Sequence, residues 1–310
     1  MTIAIVSCPG LGDGLISLAL ANNFYINKKE VVLFHSGSFS ELQPFFPYVS
    51  IRKFPSHLEE IFSYEKIFVF YDFSHPFIKT LILEGKKQFL EKIWVINASF
   101  SSRKGKQPYY EDAKFEPHLS MVQNMELFCS RILHLPKVTK EVFWKFPEDR
   151  AIQKNPKKVI LHASGAKVEK RWPIEKFLLL YRLLESMGFA PLFVFSEKEK
   201  EEWNFLLKEK VAVRFFPTCE ELAKEVSSAG YMIGNDSGVG HLASCFGLPT
   251  VSIFCHKRKS LLWRPGFCRG EVVYPSPGIP NISCFRLRDI FWKRFISVSK
   301  VLRAFKKLTS

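Results

Sequence analysis

Gly234-Asn235-Asp236-Ser237-Gly238-Val239-Gly240-His241-Leu242-Ala243-Ser244 is the stretch that decides the fold class of this 310-residue chain. A short apolar run, Tyr231-Met232-Ile233, leads into it, and a helical pattern followed by a second apolar run, Pro249 to Phe254, leads out. Strand, small-residue loop, helix, strand is the repeating unit of a parallel α/β sheet. The start of a helix in that setting offers free N–H groups and the positive end of its dipole to an anion. Ser237 and Gly238 are therefore candidates for holding phosphate. Asp236 repels phosphate, and two readings of it stand: it binds a ribose or sugar hydroxyl, or it caps its own helix. His241 fits a phosphate contact and a packed helix histidine equally.

The pattern occurs a second time upstream. Val159-Ile160-Leu161-His162 runs into Ala163-Ser164-Gly165-Ala166, then Lys170-Arg171-Trp172-Pro173, then a helix predicted from Ile174 to Met187 with Pro173 at its first turn. Ser164, Lys170 and Arg171 thus fall on a loop at the C-terminal edge of a parallel sheet, where ligands of such folds bind. One cationic loop and one loop rich in N–H groups in the same half-chain point to a diphosphate. Ser164 is a candidate donor to a phosphate oxygen.

Lys170-Arg171-Trp172-Pro173 together with Asn235 to Ala243 resembles glycosyltransferase family 9, the ADP-heptose:lipopolysaccharide heptosyltransferases. The N-terminus is similar too: Ile3-Ala4-Ile5-Val6 followed by Gly10-Leu11-Gly12-Asp13-Gly14 looks like that family's first strand and Gly-Asp loop. Trp263-Arg264-Pro265 is similar to its Trp-Gly-Pro segment, with Arg in place of the common Gly. The order of these segments is the family's, over nearly the whole chain. Val239-Gly240 and Lys167-Val168-Glu169 depart from the common pattern and leave the sugar open. The resemblance implies a GT-B architecture, two Rossmann-like domains whose parallel sheets face each other across a cleft. It implies Asp13 as the catalytic base, an inverting reaction, ADP-heptose or a related nucleotide sugar as donor, and an anionic glycolipid of the lipid A–Kdo type as acceptor. It also likens Glu197 to a glutamate that contacts the ribose or base, although a solvated helix start describes Glu197 equally well.

Composition sets the outer bounds. Hydrophobic residues make up 47% of the chain, enough for two cores. No apolar run is long enough to span a membrane, and no signal-peptide pattern opens the sequence, so a cytoplasmic protein is expected. Seven scattered cysteines without a C-x-x-C pair argue against a disulfide framework or a zinc site. The net charge of +15 calls for an anionic partner. The tail from Arg286 to Lys307, with Arg288, Lys293, Arg294, Arg303, Lys306 and Lys307 among aromatics, reads as a helix touching the inner face of the cytoplasmic membrane, as a helix packed by its apolar face, or as both.

Alternating strand and helix patterns divide the chain into Rossmann-like domains over 1–150 and 151–285; the resemblance implies that the first binds the acceptor and the second the nucleotide sugar. The resemblance also implies that a C-terminal helix over 286–310 returns to the first domain. Strands are expected at Ile3–Ser7, Glu30–His35, Lys66–Tyr71 and Ile93–Asn97, then near Lys158–Ala163, Pro191–Phe195, Val211–Phe215, Tyr231–Asn235 and Thr250–Phe254. Helices are expected over Gly12–Asn27 and Pro117–Leu133, a basic loop over Ser99–Phe115, and a linker over Phe146–Lys158.

Glycosyl transfer needs a diphosphate site, charge compensation for the leaving group, and a base. The sequence has no D-x-D with which to hold a metal, so Lys170, Arg171 and helix N–H groups are expected to supply that compensation with neither metal nor cofactor. Asp13 lies between Gly12 and Gly14, which would let an acceptor approach; the competing reading makes it a helix cap. Four other classes compete with this reading: a nucleotide-sugar binding protein without turnover, a GT-B epimerase, a nucleic-acid binder favoured by charge alone, and a dinucleotide oxidoreductase. The last would want G-x-G-x-x-G after the first strand, and the spacing of Gly10, Gly12 and Gly14 fails it.

Overall fold

The structure is a computed structural model that describes residues 2–97, 115–146, 154–165, 167–276 and 291–310. The chain divides into two units, Met1–Pro147 and Glu148–Ser310.

The first unit is built on β1 (Thr2–Val6), α1 (Leu11–Ile26), β2 (Glu30–Phe34), β3 (Ser50–Arg52), α2 (Leu58–Phe62), β4 (Lys66–Phe70), α3 (Pro76–Gln88), β5 (Ile93–Ile96) and α4 (Met121–Arg131). All strand pairings are parallel, in the order β3-β2-β1-β4-β5. Strands buried on both faces read as unbroken apolar runs, as Ile3–Val6 and Val31–Phe34 do. Helix α4 begins later than its apolar pattern suggests. Ser120 accepts from the Gln123 N–H at 3.2 Å, and the Gln123 side chain answers to the Ser120 N–H at 3.0 Å, a reciprocal cap that fixes the start at Met121.

The second unit contains β6 (Asn155–His162), α5 (Ile174–Ser186), β7 (Ala190–Ser196), α6 (Lys200–Trp203), β8 (Val213–Phe216), α7 (Cys219–Ser227), β9 (Ala229–Asn235), α8 (Gly238–Cys245), β10 (Thr250–Ile253), α9 (Lys257–Trp263), β11 (Gly270–Val273) and α10 (Val298–Thr309). Its six parallel strands are ordered β11-β10-β9-β6-β7-β8. Numbered within its own unit, this is the order of the first sheet with one strand added. In each, the strand order reverses beside the unit's first strand, between β1 and β4 and between β6 and β9. The loops after those strands flank the crevice where open α/β sheets take ligands.

Two sequence expectations are corrected here. The linker is shorter than Phe146–Lys158, because Asn155 already pairs with β9 and starts β6. The C-terminal helix belongs to the second unit instead of returning to the first. Val301, Ala304, Phe305 and Leu308 sit in the core that also holds Phe193, Ile233 and Val251, and the Phe305 ring meets Phe189 and Tyr231 edge-on at 5.0 and 5.2 Å. Apolar residues spaced three and four apart give α10 one buried stripe, and the adjoining sheet face accepts it. No helix among the described residues is long and apolar enough to cross a membrane. The basic loop expected over Ser99–Phe115 lies almost wholly outside the described residues, as do Arg286 and Arg288.

Candidate functional site

In the first unit, Asp13 is the third residue of α1, directly after β1. Its carboxylate folds back over Gly10, where any side chain at residue 10 would strike it. It therefore lies at the positive end of the helix dipole and at the C-terminal edge of the sheet. That placement suits a helix-end carboxylate and a base alike. The Cys8 thiol confirms the setting: burial raises its pKa, and the nearby carboxylates of Asp13 and Asp72 raise it further. Gly14 packs closely against a neighbour. A Cβ there would lie 2.6 Å from the Phe39 ring, so Gly14 makes room for Phe39. His35, stacked on Phe39 at 4.6 Å, places Nε2 3.1 Å from the Gly10 carbonyl oxygen. His35 and Phe39 together clamp the turn that carries Asp13; sequence reasoning missed both. Gly12 occupies the second position of α1, immediately before Asp13.

In the second unit the two loops expected to bind a diphosphate come together. Asn235, at the end of β9, donates from Nδ2 to the Ala163 carbonyl at 2.6 Å and accepts the Trp172 N–H at 3.0 Å. One buried amide thus pins the loop after β6 to the entrance of α5. Gly234 beside it faces His162 across the ladder, and a Cβ there would come within 2.8 Å of the His162 carbonyl oxygen. The close approach of β9 to β6 at this point needs glycine.

Helix α8 starts at Gly238 with Ser237 at its N-cap, and the Ser237 side chain makes no capping bond. Ser237 Oγ and His241 Nδ1, one helical turn apart, are both buried without a hydrogen-bond partner among the described residues. Burial pulls the His241 pKa down to about 4, against the raising effect of its hydrogen bond to the Trp263 backbone. The imidazole is therefore neutral near pH 7. With one ring nitrogen donating to that carbonyl, Nδ1 is left as an acceptor. Asp236 is half-buried and its N–H donates to the Ile253 carbonyl at 3.1 Å, which fixes the turn into α8.

The remaining predicted residues fall into two sets. Lys170 ends a single turn of 3-10 helix, Val168–Lys170, and among the described residues its ammonium has no ion pair or hydrogen bond. It is a cation available to a ligand. Arg171 is engaged instead: it donates from Nε to the Gly165 carbonyl at 3.1 Å, pairs with Glu202 and lies over the Trp203 ring. Ser164 is buried and its hydroxyl donates to Glu199. Glu197 is exposed and paired with Lys200 at 2.6 Å. The carboxylate that reaches the loop after β6 is Glu199, two residues on, which accepts from Ser164 and Ser196. Burial tends to raise its pKa, but hydrogen bonds from Ser164 and Ser196 and the nearby His162 outweigh that and lower it. The Ser196-x-x-Glu199 capping box was the signal that could have singled out Glu199. Among the described residues no group of three or more His, Cys, Asp or Glu could hold a metal ion.

Comparison with known proteins bears on the family and the fold. The sequence model of glycosyltransferase family 9 (heptosyltransferase) matches residues 109–265. A curated relative, lipopolysaccharide heptosyltransferase 1 of Campylobacter coli, is 28% identical over 116 residues, and the alignment spans only 34% of each chain. A family 9 glycosyltransferase from Veillonella parvula DSM 2008 superposes with a TM-score of 0.71 over 99% of this chain and 96% of its own, at 12% identity. E. coli heptosyltransferase WaaC with ADP superposes with a TM-score of 0.65 over 99% of each chain, at 14% identity. The two-sheet α/β architecture expected from the sequence is that of these solved structures.

Proposed function

This chain belongs to glycosyltransferase family 9, and from that premise we propose that it is an inverting glycosyltransferase that moves a heptose from ADP-heptose, or a closely related nucleotide sugar, to the inner core of lipopolysaccharide. The observation that carries the reading is the N-terminus of α8. Buried polar atoms are nearly always paired, and two orphans on one face of a helix start mark a place for ligand atoms. Ser237 Oγ is suited to donate to a phosphate oxygen. His241 Nδ1, an acceptor, is suited to a hydroxyl of the sugar or ribose and not to an ionised phosphate. The adjoining loop supplies Lys170 as the charge partner of the diphosphate, with Arg171, Ser164 and Asn235 shaping that loop. A relative of the same fold carries ADP.

In the proposed reaction an acceptor hydroxyl attacks the anomeric carbon, Asp13 takes the hydroxyl proton, and the bond from that carbon to the diphosphate oxygen breaks. The electron pair leaves with the ADP, whose growing charge is met by Lys170 and the helix N–H groups. Attack from the face opposite the diphosphate inverts the centre. The acceptor is an anionic glycolipid of the lipid A–Kdo type, which the protein meets as a peripheral protein at the cytoplasmic membrane surface. No metal takes part. The test is transfer from ADP-heptose to lipid A–Kdo in strong chelator, followed by mass spectrometry. Addition of one heptose supports the reading. Donor turnover that needs no acceptor would refute it, and loss of transfer that magnesium restores would refute the metal-free mechanism.

A further inference from the structure

The turn that presents Lys170 is not held by its own packing. None of the three residues Val168–Lys170 is buried, and Val168 is 63% exposed. What holds it comes from more than 120 positions away. The Trp292 indole N–H donates to the Glu169 carbonyl at 3.1 Å, and the Lys293 ammonium reaches the Val168 carbonyl at 3.4 Å. Bonds also run the other way, from α5 and the residue before its cap. The Trp172 indole N–H donates to the Ile296 carbonyl at 3.0 Å, and Lys176 donates to the carbonyls of Lys293 and Ile296 at 2.6 and 2.8 Å. Trp292 and Ile296 are themselves rooted in the second unit's core.

We propose that the segment Phe291–Ile296 is a strap that positions the Lys170 turn for a nucleoside diphosphate, with Trp292 as its principal positioning residue. The inference rests on the reading of Lys170 as the diphosphate partner. The strap touches the carbonyls of the two residues before Lys170 and the helix just after it, so the cation stands on a turn gripped from both sides. Every hydrogen bond in the grip ends on a backbone carbonyl, so it fixes where the turn lies without depending on its side chains. That frees Lys167, Val168 and Glu169, the residues that depart from the family pattern, to vary while Lys170 keeps its place.

Trp292→Phe keeps an aromatic ring in the core and removes the N–H. Lys176→Met removes the bonds on the other side of the strap, and Lys176→Arg restores a donor. The full-length protein is used, with ADP as the probe. Amide exchange at residues 168–171 should speed up severalfold in Trp292→Phe and Lys176→Met, with exchange in β6 and β7 unchanged. ADP affinity should fall about tenfold in both, and Lys176→Arg should stay within about threefold of the parent. Uniformly faster exchange across the unit would overturn the proposal, since Trp292 would then serve general stability. Unchanged ADP affinity in Trp292→Phe would overturn it as well. Lys170→Ala binding ADP as the parent does would instead overturn the diphosphate role of Lys170, while the exchange data would still judge the strap.

Discussion

Replacing Asn235 with Ala should cost the second unit a large part of its stability, and the size follows from two bonds. The side chain is buried, donates to the Ala163 carbonyl at 2.6 Å and accepts from the Trp172 N–H at 3.0 Å. Alanine leaves both backbone groups without a partner. A buried polar group stripped of its bond costs about 1–3 kcal/mol, so the pair costs about 2–6 kcal/mol. Against a typical domain stability of about 5–15 kcal/mol this is severe without being lethal. For a unit of this size, where each kcal/mol is worth about 2–4 °C, it corresponds to a drop in melting temperature of roughly 4–24 °C. Urea unfolding followed by tryptophan fluorescence suits the measurement, because Trp172, Trp203, Trp263 and Trp292 all lie in the second unit. Asn235→Asp keeps the shape and the acceptor but turns an oxygen toward the Ala163 carbonyl, so at neutral pH it should lose a comparable amount. ADP should bind Asn235→Ala more weakly even where the variant is fully folded, since the same amide joins the two loops. A loss below about 1 kcal/mol with ADP affinity intact would refute the argument that Asn235 ties them together.

Asp13→Asn should reduce transfer by at least about a thousandfold while ADP affinity changes little, because it removes the base and keeps the shape; activity within a few-fold of the parent would end that assignment. Acid should weaken the second unit. The pKa of His241 is lowered from 6.5 to about 4 in the fold, so between those values the unfolded chain binds the proton that the folded one refuses. Stability is then lost as pH falls from 6.5 toward 4, by about 3 kcal/mol in all. His162, whose pKa burial also lowers, acts in the same sense. Urea midpoints measured from pH 7 to 5 should slope downward, and the slope should be smaller in His241→Asn; equal slopes would count against a neutral buried imidazole. The outer face of α10 exposes Arg303, Lys306 and Lys307, with Lys307 also paired to Glu271 at 3.2 Å. With each base near an anionic bilayer contributing about 1 kcal/mol, flotation should show salt-sensitive binding to anionic vesicles that weakens when these three become Ser. Equal recovery with neutral vesicles would assign the charge to another partner.

Much of this was legible because parallel strands buried on both sides leave apolar runs that turn residues bound sharply. The runs at Ile3, Glu30, Lys66, Val159, Leu192 and Thr250 all became strands within a few residues of expectation. The missing strands, β3 and β11, are edge strands of three and four residues, too short to show a pattern and made strands by their neighbours. The loops carrying Ser164, Lys170, Asp236 and Ser237 were legible because a helix start after a strand has a recognisable composition. Which of those side chains stay available was not. Arg171 and Ser164 are engaged by Glu202 and Glu199, partners some thirty positions away on the far side of β7. The clamp of His35 and Phe39 on the Asp13 turn and the strap of Trp292 on the Lys170 turn are likewise contacts across the fold, and local sequence does not encode a partner at such a distance.

The seat of α10 on the second sheet bears on how the protein emerges from the ribosome. The first unit ends at Pro147 and can close while the remainder is still being made. The second cannot cover Phe189 and Tyr231 until synthesis has passed Leu308 and that segment has cleared the exit tunnel. The last strand, β11, ends at Val273, so at about 5–20 residues per second the assembled parallel sheet waits roughly 2–7 seconds, and longer while the tunnel empties, with one apolar face open. Chaperone occupancy along the nascent chain should therefore concentrate on the second half, and a translation pause before Val298 should raise aggregation more than one placed just after the first unit.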